Sequence, residues 1–233
     1  MDYTAKIAPP VDPTVDRLGE ILAARGIDPA TVNKETGDPQ SPGGLIRAAV
    51  QHNAEAIPLH YRSSVATAPE LRTWVDALVA DAGLRIVPFV KTGPSLLLLG
   101  PTGVGKTYQG YGAIRDLAVT GITARWIAAT AADIYAALRP RHGVDSEKEF
   151  QRYAGADLLF VDDLGAAKAS DWTEEVNYRL INHRYEAERP TLFTSNVPPA
   201  QLGSALGDRV ASRLTEMCKH VVLKGSDRRR GQV

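Results

Sequence analysis

From residue 96 onward, short apolar runs alternate with amphipathic stretches. Residues 96–99, 122–128, 157–163, 191–195 and 220–223 read as strands. Between them, residues 106 to about 119, 131–138, about 146–153, 172–188 and 208–217 carry helical spacing. Strands this short and this uniformly apolar, each followed by a helix, predict a parallel sheet covered on both faces. The pattern upstream is purely helical. Asp12-Pro13 opens a first helix, with Val15, Leu18 and Leu22 on one stripe and Gly26 as its stop. Asp28-Pro29 repeats that opening for a short helix to Glu35, with Gly37 after it. The pair reads either as a helical hairpin for docking or as a helix-turn-helix; the second helix carries few side chains suited to reading bases, which favours docking. Residues 37–44 have linker composition, a helix runs from about 45 to 56, and Pro69 starts another that buries Leu71, Val75, Leu78 and Val79 and ends at Gly83. The expected organisation is a small helical N-terminal module (1–40), a linker with a helix (41–64) and one α/β unit (65–233).

Composition narrows the class. Hydrophobic residues make up 44% of 233, enough for a substantial core. Lys+Arg and Asp+Glu both number 27, so a basic surface for nucleic acid has to be local. One cysteine, Cys218, excludes a disulfide framework, and the five histidines lack metal-ligand spacing. Met1-Asp2-Tyr3 does not open a signal peptide and no run reaches membrane-spanning length, so a cytoplasmic protein is expected.

The chemistry concentrates at the ends of the expected strands. Gly100-Pro101-Thr102-Gly103-Val104-Gly105-Lys106-Thr107 follows the apolar run 96–99 and opens a helix, with Tyr108 next. This is a phosphate-binding loop in its required context of strand, loop and helix. Glycines let backbone N–H groups close on phosphate oxygens, Lys106 can reach the outer phosphates, and the Thr107 hydroxyl can ligate Mg²⁺. Asp162 and Asp163 end the run 157–163. In a parallel sheet they arrive at the same edge as the loop, Asp162 to hold Mg²⁺ and Asp163 to activate or position a water. Asn196 ends the run 191–195 and can orient that water if its strand lies beside the first. Arg209 and Arg213, four apart, share a helix face, either as part of a salt-bridged surface or as arginines offered to a neighbouring subunit's nucleotide.

Taken in order, GPTGVGKT, LLFVDDLG, TLFTSN and LGDRVASRL resemble the AAA+ ATPases of the DnaC/DnaI type, the bacterial and phage replicative helicase loaders. IstB-type transposition helper ATPases carry a very similar set. The segments 57–62 and 181–185 share the likeness, which spans about residues 55–230. The resemblance implies a P-loop AAA+ core without a separate helical lid domain, binding ATP and Mg²⁺ through the loop, Thr107 and Asp162. It implies a catalytic Asp163, a sensor Asn196, an arginine finger at Arg213 with Arg209 in support, and a nucleotide-sensing Arg228 or Arg229. It further implies a helical insertion, about residues 131–153, that contacts single-stranded DNA, with Arg139, Arg141 and Lys148 as phosphate contacts. Implied partners are other copies of the chain and a hexameric replicative helicase held through residues 1–40. Three readings compete: a transposition helper on duplex DNA, a P-loop small-molecule kinase, and a nucleotide-switch adaptor.

Overall fold

A computed structural model describes residues 13–28, 30, 39, 41–83, 89–143 and 145–225. The short helix expected after Asp28-Pro29 falls largely outside them, as do Arg228 and Arg229.

Five strands, β1 (Ser95–Leu99), β2 (Trp126–Thr130), β3 (Leu158–Asp162), β4 (Thr191–Ser195) and β5 (Cys218–Val222), form one parallel sheet in the order β2-β3-β4-β1-β5. The helices are α1 (Pro13–Ala24), α2 (Pro42–Ala56), α3 (Pro69–Gly83), α4 (Lys106–Ala118), α5 (Ala131–Leu138), α6 (Ser146–Ala154), α7 (Asp171–Glu186), α8 (Leu202–Leu206) and α9 (Asp208–Met217). The period of two along the strands divides the core. Leu97, Leu99, Leu159, Val161 and Phe193 pack beneath α5 to α9, while Leu96, Leu98, Leu158, Phe160 and Leu192 pack against α3 and α4. Both faces are thus covered, and the C-terminal ends of β1, β3 and β4 lie side by side.

Two of the boundaries that differ from the sequence pattern have a plain local cause. The apolar residues from Ile122 precede β2: Gly121 turns the chain at φ +76°, and Thr123 forms an isolated bridge with Phe89 before pairing with β3 begins at Trp126↔Leu158. Residues 41–44, which have linker composition, instead start α2. Ser41 caps it, accepting from the Gly44 N–H at 3.1 Å, and Pro42 takes the first position, where a missing N–H costs nothing.

Helix α1 is seated on the α/β unit. Ile21 and Leu22 bury against Ile46 and Val119. Arg25 grips Asp116 of α4 through two 2.7 Å bonds and also pairs with Asp76 of α3. The Asp116 bonds raise the Arg25 pKa against the cost of burial.

The chain between α2 and α3 lies directly along α4. Gly112 has no side chain because the backbone nitrogen of Ala66 would stand 2.3 Å from its Cβ. Beside it, Gln109 accepts from the Thr67 N–H at 2.7 Å and Tyr61 stacks on Tyr111 at 4.9 Å. Backbone cannot yield as a flexible side chain can. Gly112→Ala is therefore expected to lower stability by about 1–3 kcal/mol in chemical denaturation, an overpacking cost. Arg184 is wholly buried on the opposite face. It donates to the carbonyls of Tyr153, Ala154, Ala156 and Pro190 and to the Thr191 hydroxyl, and burial pulls its pKa down to about 9.

Candidate nucleotide site

The phosphate loop joins β1 to α4. Gly100, Gly103 and Gly105 hold φ of +152°, +84° and +97°, a region that side chains strain to enter. At Gly100 a Cβ would also lie 2.5 Å from the Leu223 carbonyl oxygen. No side chain caps α4, so its first N–H groups and positive end remain available to an anion.

Lys106 is 5% exposed and anchored at the loop. Its Nζ donates to the carbonyls of Gly100 at 2.8 Å and Pro101 at 2.9 Å, and to Asn196 Oδ1 at 2.6 Å. The Asn196 amide in turn donates to Asp163 Oδ1 at 3.3 Å. The adjacency of β1 and β4 thus joins Lys106, Asn196 and Asp163 into one chain of hydrogen bonds. Asp163 itself sits at φ +55°, rare for a residue with a side chain, immediately beyond the end of β3. Strain of this kind is tolerated where surrounding bonds fix the backbone. Here the Asp163 N–H donates to Thr194 Oγ1 at 2.9 Å and the Leu164 N–H to the Thr194 carbonyl at 2.8 Å.

The Thr107 hydroxyl lies 3.0 Å from both oxygens of Asp162, and Thr194 donates its own hydroxyl to Asp162 Oδ1. Burial raises the Asp162 pKa and the neighbouring Asp163 pushes the same way, while the Thr194 and Thr107 bonds oppose them. Tyr111, buried and facing that carboxylate, is pushed up to about 12. A hydroxyl and a carboxylate oxygen in a half-dry corner suit a hard divalent cation such as Mg²⁺ that keeps waters and phosphates as its other ligands.

Nothing in the sequence marks Thr194 by itself, since a threonine inside an apolar strand reads as a β-branched strand former. The available signal was its spacing. It lies two residues before Asn196, so a strand sends both side chains to one face. Because its hydroxyl ties the metal-side carboxylate to the backbone of the next one, Thr194→Val is expected to cost about 10–100-fold in Mg²⁺-dependent turnover, as supporting contacts around metal ligands do. A magnesium titration of the ATPase rate measures this.

The other expected residues lie apart from this cluster. Tyr108 flanks the loop and donates its hydroxyl to the Ser63 carbonyl at 2.9 Å. Arg209 and Arg213 are on α9 and pack over α7: Arg209 lies 5.1 Å from the Tyr178 ring and Arg213 lies 4.4 Å from the Tyr185 ring. Neither shares a hydrogen bond with a phosphate-loop residue among the described residues. Arg139 and Arg141 line a groove of about 860 Å³ between α5 and α7. Arg139 stacks on Trp172 at 5.2 Å, and Tyr135 and Lys168 complete the groove's aromatic and basic lining, with no carboxylate on it among the described residues. Lys148 lies outside that groove, exposed between Glu147 and Glu149 on α6.

A phosphate loop after β1, paired carboxylates at the end of β3 and a polar residue after the intervening β4 define the class: a P-loop ATPase of the AAA+ type. The family model of the IstB-like ATP binding protein matches residues 75–232, and the chain belongs to that family. The chain is 25% identical over 123 residues to the replicative helicase loader DnaC of Escherichia coli K12, covering 52% of this chain and 49% of that protein. It is 27% identical over 143 residues to the putative ATP-binding protein of insertion sequence IS5376 from Geobacillus stearothermophilus, covering 60% and 56%. Among solved structures, that of the DnaC helicase loader superposes with a TM-score of 0.56 at 25% identity, covering 67% of this chain and 87% of that one. The chain spans about half the length of these two curated relatives.

Proposed function

We propose that this chain is an ATP-dependent DNA replication factor, a helicase loader that hydrolyses ATP, assembles with copies of itself and contacts single-stranded DNA. The observation that carries the reading is the linked set Lys106, Asn196, Asp163, Thr194 and Asp162, closed around a phosphate loop whose two arginine candidates lie elsewhere on the chain. Such a site is complete only when a neighbour supplies the arginine.

The phosphates of ATP enter the loop along residues 100–107 and the open end of α4. Lys106 exchanges its bond to Asn196 for the outer phosphates, which frees the Asn196 side chain to hold the attacking water. Asp163 accepts that water's proton as its oxygen bonds to the γ-phosphorus and the bond to the β-bridging oxygen breaks, giving ADP and phosphate. Thr107 and Asp162 would hold Mg²⁺, which would supply positive charge against the phosphates. Arg213 of the adjoining copy, supported by Arg209, neutralises the charge that spreads over the γ-phosphoryl group. Arg228 or Arg229 adds a further cation at the nucleotide.

Unpaired DNA follows Arg139, Arg141 and Lys148. The groove favours single strands over duplex because the half-buried Trp172 offers aromatic surface to bases that a duplex keeps stacked inside. Residues 1–40 then hold a hexameric replicative helicase, which hydrolysis releases, and the protein works in the cytoplasm. ATPase rates without DNA, with single strands and with duplex test the reading. Stimulation by single strands is the expected result. A preference for duplex supports a transposition helper instead, and indifference to both supports a kinase or an adaptor.

A further inference from the structure

Helices α7 and α9 meet along two matched stripes. On α7, Tyr178, Asn182 and Tyr185 fall at spacings of four and three. On α9, Arg209, Arg213 and Glu216 repeat the same spacings. Residues so placed line one face of a helix. Arg209 lies over Tyr178 and Arg213 over Tyr185. Arg213 also donates from Nε to Asn182 Oδ1 at 3.3 Å and from Nη1 to Glu216 Oε2 at 3.1 Å. The Tyr185 hydroxyl, bonded to Glu216, and Arg213 together keep that carboxyl below its ordinary range, so it stays ionised.

Three sides of the guanidinium are therefore held by its own chain: one face by a ring, one edge by an amide and one terminal nitrogen by a carboxylate. The side chain is 33% exposed, so the guanidinium can still be reached from outside. A long flexible arginine on a solvated surface ordinarily samples many rotamers, and ordering it costs rotamer freedom. Here the ordering is completed before any partner arrives.

We propose that Tyr185, Asn182 and Glu216 are positioning residues that set Arg213 in advance for the γ-phosphate bound by a second copy of the chain. Tyr185 fixes the plane of the guanidinium, Asn182 holds the inner Nε and fixes rotation about the arm, and Glu216 holds the terminal Nη1 until the more highly charged phosphate replaces it. This rests on the reading that Arg213 acts between copies.

Mixed assemblies separate the two ideas. Copies carrying Arg213→Ala keep an intact nucleotide site but offer no arginine. Copies carrying Asp163→Asn offer the arginine but turn over no ATP. Each alone is slow, and the mixture is expected to recover activity. If the mixture recovers nothing, the reading that Arg213 acts between copies fails and the proposal falls with it. In the recovering mixture, Tyr185→Leu is then placed on one kind of copy at a time. On the Asp163→Asn copies it is expected to lower kcat about tenfold with KM for ATP unchanged, a misorientation loss. On the Arg213→Ala copies, where no arginine needs aiming, the loss is expected to be far smaller. Tyr185→Phe on the Asp163→Asn copies keeps the ring and should restore most of the rate. Equal losses on both kinds of copy would mean that the ring merely packs α7 against α9. No loss on the Asp163→Asn copies, or a Phe variant as slow as the Leu variant, would equally overturn the proposal.

Discussion

Asp163→Asn is expected to leave ATP bound at close to parental affinity and to slow its hydrolysis about 10²–10⁴-fold, the range that a lost general base spans. The expectation follows from where Asp163 stands. It takes no part in the bonds that hold Lys106 to the loop, and its hydrogen-bonded link to the metal-side carboxylate runs through Thr194. Its own carboxylate meets Asn196 at 3.3 Å, and Asn196 in turn accepts from Lys106. An amide fills the same volume and can still bond Asn196, but it accepts no proton from water at neutral pH. Nucleotide binding measured by calorimetry and turnover measured by phosphate release should therefore separate. Loss of both together would make Asp163 a structural residue. Retention of both would support the adaptor reading, in which turnover is dispensable.

Arg213→Ala is expected to cost about 10³–10⁵-fold in turnover within the assembled protein, the worth of an arginine delivered in trans. At protein concentrations low enough to keep the chain monomeric, the variant and its parent should hydrolyse ATP at the same slow rate. That dependence on concentration distinguishes a catalytic arginine from one that only steadies α9. The fold allows the distinction to be read, because Arg213 is a third exposed and its partners Tyr185, Asn182 and Glu216 surround it without sealing it in. Removing it leaves no cavity in the core, where Val210 and Leu214 carry the packing of the same helix. A thermal melt should show little change while the assembled rate collapses.

Much of this molecule is local and could be read along the chain. The phosphate loop depends on glycines and a lysine at fixed offsets, so eight consecutive residues suffice to see it. The alternation of apolar strands and helices sets out a covered parallel sheet. Asp162, Asp163 and Asn196 were legible as polar residues ending apolar runs. What stayed hidden depends on contacts between distant segments. Thr194 looks like any strand threonine until β3 and β4 lie in register. Gly112 looks like a helix-weakening glycine until the chain at Ala66 crosses it. Arg184 looks like a surface arginine on α7 until the carbonyls around β3 and β4 close over it. The grip of Arg25 on Asp116 spans 91 positions and leaves no local mark, so α1 reads as separate when it is seated. Ser41 was masked by the glycines after it, whose composition suggests a linker although the serine caps a helix.

The claim that the site is finished by a second copy is tested most directly by particle mass. Sedimentation of the purified chain would be run with a non-hydrolysable ATP analogue, with Mg²⁺, and with or without single-stranded DNA. The account predicts assemblies larger than a dimer when analogue and single strands are both present, and their loss in Arg213→Ala. A chain that stays monomeric with both ligands present would contradict it.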